Sequence, residues 1–144
     1  MIRQFLVGGG VTLVNIAIHA MVMTLVVQVA QRAGAELKSH PSLTLVAVMI
    51  PTVAILMMTH TLEVLVWALA YLIVDAAPEG ADRIYLAFVN FATLGYGDIV
   101  PLARWRLLGP ITAMNGALLF GLSTAVMFEV MRKILARHEL SRDD

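Results

Sequence analysis

Thr93-Leu94-Gly95-Tyr96-Gly97-Asp98 is the stretch that decides how the rest of this 144-residue chain is read. Its two glycines alternate with bulkier residues, and glycine accepts left-handed backbone that other residues avoid. Alternating hands along a short strand turn successive carbonyl groups to one side. Just before it, residues 82–92 carry Ile84, Tyr85, Phe88 and Phe91 at helical spacing, with Asp82 as an N-cap candidate. About 11 residues are too few to cross a bilayer. A short helix and a glycine-rich turn set between two long apolar segments form a re-entrant loop. Non-helical backbone at membrane depth is tolerated only where it lines a cavity or is buried in protein.

Working outward, three apolar spans cover 5–30, 43–74 and 107–128. The chain has 10 basic and 10 acidic residues, and only Glu63 of these 20 lies inside a span, together with His19 and His60. Charged residues make up 14% of the chain, against about 25% in soluble domains. This excludes a disordered chain, and zero net charge argues against nucleic-acid binding. So short a soluble domain could not hide three helices that are apolar all round. With no cysteine, disulfide and thiolate chemistry are excluded as well. The first span is too long for a signal-peptide core and is expected to be a membrane helix. As one helix the second would be about 48 Å long, so it must tilt, project or bend, with Pro51 the obvious bend. The third runs from Leu107 to about Met131, with Pro110 in its first turn, where a missing N–H costs nothing.

The motif resembles the selectivity filter of potassium channels, whose usual form is T-V-G-Y-G-D; Leu94 is the one departure. The resemblance covers about 82–131, and M-N-G-A-L-L-F-G-L-S-T-A (Met114 to Ala125) is similar to small bacterial two-transmembrane-pore proteins. No match of comparable specificity lies in 1–78. The chemistry agrees: a dehydrated potassium ion needs oxygen ligands, which backbone carbonyls of Thr93, Leu94, Gly95 and Tyr96 would supply, with the Thr93 hydroxyl at the inner end. Tyr96 and Asp98 would point away from the pore and brace the loop. The 82–92 helix would aim its partly negative carbonyl end at the cavity. One chain supplies one strand and a full shell needs four, so the resemblance and the geometry imply a homotetramer. The implied fold is an all-α integral membrane protein with three transmembrane helices, a re-entrant pore helix and a filter loop. Its expected parts are 1–42 (first helix and a short cytoplasmic loop), 43–131 (pore module) and 132–144 (basic cytoplasmic tail).

In such channels the loop enters from outside, which places the tail and 31–42 inside and the N-terminus outside. Six Lys/Arg then lie inside and four outside, weak support from the positive-inside rule. The expected location is a cell membrane crossed several times, of the bacterial inner-membrane kind.

His19, His60, Glu63 and Asn115 form a candidate polar cluster within the spans, with Asn15 one turn before His19. It is open to three readings: a hydrogen-bonded cluster joining helices, a pH sensor, or a metal site. Glu129 at the inner end of the third span would ring the pore mouth, or pair with Lys133 at i+4. Gly116 and Gly121 are candidates for a gating hinge or for close packing, and Gly8 to Gly10 are expected to serve packing. Arg104 and Arg106 should pair with Asp75, Glu79 or Asp82. The nine methionines fit packing better than copper binding. No Arg-x-x-Arg series suggests a voltage sensor.

The leading expectation is a passive, potassium-selective tetrameric channel and not an enzyme, with no cofactor, potassium as permeant ligand, lipid as surroundings, and no nucleic-acid or soluble partner. The alternatives are a weakly selective or non-conducting pore-like subunit, or a pH- or metal-sensing membrane protein built on His19, His60 and Glu63.

Overall fold

The computed structural model describes residues 1–36 and 41–140. They form four helices, α1 (Ile2–Glu36), α2 (Pro41–Ile73), α3 (Arg83–Phe91) and α4 (Leu108–Leu140), with one 3-10 turn at Ala103–Trp105 and no strand among the described residues. Three segments are long and apolar enough to span a membrane: Ile2–Ala30, Ser42–Ile73 and Leu108–Ala136. The protein is an all-α membrane protein. Lys38 and Arg142, both counted as inner charges above, lie outside the described residues.

Two expectations about the spans are sharpened. α2 is one helix running through Pro51, so the second span, which could have tilted, projected or bent there, is not divided in two. Proline inside membrane helices is tolerated; Pro51 has no N–H to give the Ala47 carbonyl, and the Thr52 hydroxyl beside it makes a second bond to its own i−4 acceptor, the Val48 carbonyl, at 2.8 Å. α4 extends past Met131 into the basic tail, where no proline or glycine stops it and Glu129 pairs with Arg132 and Lys133 one turn on.

α1 packs against both α2 and α4, and α3 is wedged between α2 and α4. At one end of the bundle the Gln4 carboxamide oxygen accepts from the Leu107 N–H at 2.7 Å, so α1 begins where α4 begins. The Leu102 N–H donates to the Ala76 carbonyl at 2.8 Å, holding the 75–106 link at that same end. The interior is layered. An apolar cluster at the link end contains Trp67, Tyr71, Leu86, Phe91, Leu108 and Leu119. A second at the far end contains Val26, Ala30, Val48, Val126, Val130 and Ile134. His19, His60, Glu63 and Ser123, all buried, lie between them along their helices.

Helix ends in the link share one device. At α2 the Ala76 N–H reaches the Tyr71 carbonyl at 2.9 Å and the Asp75 N–H reaches Leu72 at 3.3 Å. At α3 the Leu94 N–H reaches Val89 at 2.9 Å and the Thr93 N–H reaches Asn90 at 3.0 Å. This is the Schellman cap, which puts the residue after the cap in left-handed backbone. Here that residue is Asp75 (φ 49°) in one case and Thr93 (φ 59°) in the other. Glycine normally marks such a cap, so neither end is conspicuous in the sequence.

Candidate functional site

α3 and the segment after it make a hairpin that starts and ends at the same level. Asp82 caps the helix, its carboxylate accepting from the N–H groups of Ile84 (2.9 Å) and Tyr85 (3.1 Å). Leu86, Ala87, Val89 and Phe91 face the protein interior. Beyond the Thr93 cap the chain returns until the Tyr85 hydroxyl donates to Asp98 at 2.6 Å. That bond holds the Asp98 carboxyl below the usual carboxylate range and pushes the Tyr85 phenol up.

Between these two ties the backbone alternates. Thr93, Gly95 and Gly97 have φ of 59°, 59° and 78°, whereas Leu94 and Tyr96 do not have positive φ. Glycine takes such values freely. A β-branched threonine does so only under constraint, here supplied by the cap. All six residues from Thr93 to Asp98 are exposed on the single chain. Leu94 and Tyr96 are 53% and 66% exposed, so the loop's apolar side chains find no cover within their own chain. Beside the loop a cavity of about 480 Å³ is lined by Val89, Thr93, Gly95, Pro101, Arg106 and Ala113, among others.

Arg104 pairs with Asp75, donating to its carboxylate at 2.5 Å and its carbonyl at 3.1 Å. Arg106 has no ion-pair partner among the described residues and lines that cavity instead. Gly116 and Gly121 differ. A Cβ at Gly116 would overlap the Phe91 carbonyl oxygen, whereas one at Gly121 meets nothing within 4 Å. Gly116 therefore lets α4 lie on the last turn of α3. Gly8 sits against Ile111, but Gly9 and Gly10 face open space, so the packing expected of all three holds for Gly8 alone. Glu129 is held by Arg132 at 2.8 Å as well as Lys133 at 3.1 Å, and these charges offset its own.

The candidate polar cluster of the sequence divides into two networks. Asn115 belongs with Asn15 and Trp67: its carboxamide oxygen accepts from Asn15 Nδ2 (3.1 Å) and Trp67 Nε1 (2.8 Å). Asn15 Nδ2 also reaches the Glu63 backbone carbonyl at 3.2 Å. The second network is His19, His60, Glu63 and Ser123. Glu63 contacts both imidazoles, Oε1 to His19 Nδ1 and Oε2 to His60 Nδ1, each at 2.8 Å. On the far side both Nε2 atoms meet Ser123 Oγ, at 2.9 Å for His60 and 3.4 Å for His19. The rings stack with centroids 5.4 Å apart. Potential ligand atoms of His19, His60 and Glu63 lie within 4.8 Å of one another, near enough for one cation. Yet each ring nitrogen and each carboxylate oxygen is already engaged in this hydrogen-bond network. Sequence reasoning missed Ser123, whose only signal is a small hydroxyl two turns beyond Asn115 on the same helix.

A re-entrant helix and an exposed, alternating loop between two membrane spans define a pore-forming class of membrane protein. Residues 43–133 match a family model described as Ion channel. The chain belongs to that family and is an ion channel. No curated protein and no solved structure matches it.

Proposed function

We propose that four copies of the chain surround one pore and conduct potassium selectively and passively across a cell membrane, with residues 93–98 as the filter. The observation that carries this reading is the run of left-handed backbone at Thr93, Gly95 and Gly97, fully exposed at the end of α3. Such alternation aligns the carbonyls of Thr93, Leu94, Gly95 and Tyr96 as ligands for a dehydrated cation. The exposure supports assembly, because irregular backbone within a membrane must be covered by protein or line a water-filled cavity. A fourfold arrangement would cover Leu94 and Tyr96 and join four strands into rings of oxygens. α3 adds its partly negative C-terminus. The Tyr85–Asp98 bond would hold the outer end of the filter. The link end of the bundle, with the N-terminus of α1, faces outside, and the end of α4 lies in the cytoplasm. Gly121, which has open space beside it within a continuous α4, is the better-placed hinge candidate of the two glycines.

Purified protein in liposomes tests this. Potassium flux blocked by barium, exceeding sodium flux and abolished by Gly95→Ala is the expected result. Equal sodium and potassium flux would refute selectivity, and a species other than a tetramer in detergent would refute the assembly.

A further inference from the structure

The His19–Glu63–His60–Ser123 network is a closed ring of four contacts, and each contact holds one proton when satisfied. The proton inventory is fixed by side-chain chemistry. Ser123 always brings one. The remaining three must be shared among Glu63, His19 and His60. An ionised Glu63 with two neutral imidazoles brings only two, one on each Nδ1. Ser123 then donates to one Nε2, and the other Nε2 faces an oxygen with no proton between them. One added proton removes the defect. The imidazolium Nε2–H donates to Ser123 Oγ, Ser123 donates to the other Nε2, and both Nδ1–H groups donate to Glu63. Moving the added proton onto Glu63 and re-ordering the tautomers satisfies the ring equally. Both forms have zero net charge, which matters because these side chains are buried in membrane-spanning helices. A fourth shared proton would place two protons on one edge and a net positive charge in the interior.

We propose that this ring is a proton-binding site that takes up one proton from water beyond the ionised-Glu63, neutral-histidine state, and that the bound proton fastens α1 and α2 to α4 beneath the filter. The ring joins three helices: His19 comes from α1, His60 and Glu63 from α2, Ser123 from α4. Among the described residues the titratable groups facing the ring are its own. α4 presents Ser123 and Phe120 to it and α3 presents Phe91, with no charge from either. The Phe120 ring stands edge-on to His60 at 4.7 Å, and Phe91 lies 6.1 Å from His60 and 5.5 Å from Phe120. Phe91 is the last residue of α3, two before Thr93, so the ring adjoins the base of the proposed filter. The sign follows from the count. The proton is held below the ring's apparent pKa and leaves as pH rises, and the edge that opens is the longest, His19 to Ser123 at 3.4 Å. Alkaline pH therefore loosens the contact of α4 with α1 at the ring, while the Gln4–Leu107 and Asn15–Asn115 bonds remain. Strongly coupled groups titrate as a unit, so the step belongs to the ring and not to one histidine.

That the ring acts on potassium flux rests on the proposed function; the proton site itself does not. The experiment is a pH titration of ¹⁵N-histidine-labelled full-length protein in lipid nanodiscs, followed by NMR, alongside potassium flux in liposomes over the same range. His19 and His60 are expected to change together in a single one-proton step, with flux changing in step. Ser123→Ala, which removes the Nε2 partner and leaves Glu63 and both imidazoles in place, should weaken proton binding about ten- to a hundredfold. The step then moves down by about one to two pH units, the effect expected for losing a hydrogen bond to a charged group. Histidines titrating separately near the ordinary imidazole value of about 6.5 would overturn the proposal. So would a step that Ser123→Ala leaves in place, or one equivalent of zinc displacing the Nδ1 protons at neutral pH. A one-proton step with no flux at any pH would uphold the site and sink the channel reading instead.

Discussion

Gly116 offers the sharpest test of how α4 is seated. Replacing it with alanine puts a Cβ onto the Phe91 carbonyl group, overlapping the oxygen and lying 2.8 Å from the carbonyl carbon and 3.2 Å from Phe91 Cα. The obstacle is backbone at the end of α3 and cannot swing aside as a side chain tip would. Ordinary contact begins near 3.4 Å, so α4 must move away from α3 or Phe91 must give up its position. Overpacking of this kind costs about 1–3 kcal/mol. Against it stands a gain of about 1 kcal/mol from replacing glycine inside a helix. The rigid obstacle sets the cost toward the upper end of that range, so the net is a loss of up to about 2 kcal/mol. Gly121→Ala is the control: with nothing within 4 Å of the new methyl, it keeps the helix gain alone. Thermal unfolding in detergent, followed by fluorescence of the buried Trp67, should show Gly116→Ala melting about 4 °C or more below the parent. Gly121→Ala should melt at or above it. Equal melting points for the two variants would refute the packing argument. If Gly121→Ala raises the melting point and also suppresses channel opening, that glycine is the hinge.

Gly95→Ala forces a side chain into left-handed backbone at φ 59° and should abolish potassium flux while leaving the helices folded; circular dichroism and the liposome assay read the two separately. Tyr85→Phe removes the tie to Asp98 and should lower the potassium-to-sodium flux ratio. Because Tyr85 holds the Asp98 carboxyl below its ordinary range, the tie persists at neutral pH and fails as pH falls through that lowered value. The parent should therefore lose selectivity when the outer face is acidified through that value, whereas the variant, which has no tie to lose, should keep its lower flux ratio unchanged over the same range. Gln4→Ala leaves the Leu107 N–H without its side-chain acceptor and should cost about 1 kcal/mol, read as a fall in melting temperature.

The spans, the re-entrant helix and the position of the loop were legible in the sequence, because each depends on local composition. Twenty consecutive apolar residues have few alternatives, and Asp82 before an amphipathic run marks a helix start. Helix ends were less legible. Thr93 and Asp75 occupy positions usually given to glycine, and the cap hydrogen bonds hold them in left-handed backbone there. The polar cluster was half legible. His60 and Glu63 are one turn apart on a single helix, so their meeting follows from spacing. That His19 joins them, that Asn115 belongs to a different network, and that Ser123 closes the ring depend on the relative depth and rotation of three helices. No pattern within one helix specifies those quantities. Pro51 left one helix or two open for the same reason, since its effect on α2 depends on what surrounds it.

α1 lies outside the 43–133 segment that matches the ion channel family, yet it is not simply appended to the pore module. Lipid tails are as apolar as leucine, so hydrophobicity does little to hold one membrane helix against another; packing and polar contacts must do it. α1 supplies polar contacts at three depths: Gln4 to Leu107, Asn15 to Glu63 and Asn115, and His19 to Glu63 and Ser123. Below them Val26 and Ala30 enter the inner apolar cluster. Glu63, His60 and Ser123 belong to the other two long helices, but only with His19 in place does Glu63 have a partner for each oxygen. Without α1, a carboxylate that is now fully buried would lose one of its two imidazole partners and the wall that covers it. A charge left in that position is costly. The pore module of this chain has therefore come to depend on its extra helix: removing residues 1–36 should destabilise the remaining bundle, and replacing Glu63 with leucine in the shortened chain should restore much of the loss. If the shortened chain is stable with Glu63 present, α1 is dispensable and the dependence argued from these contacts is wrong.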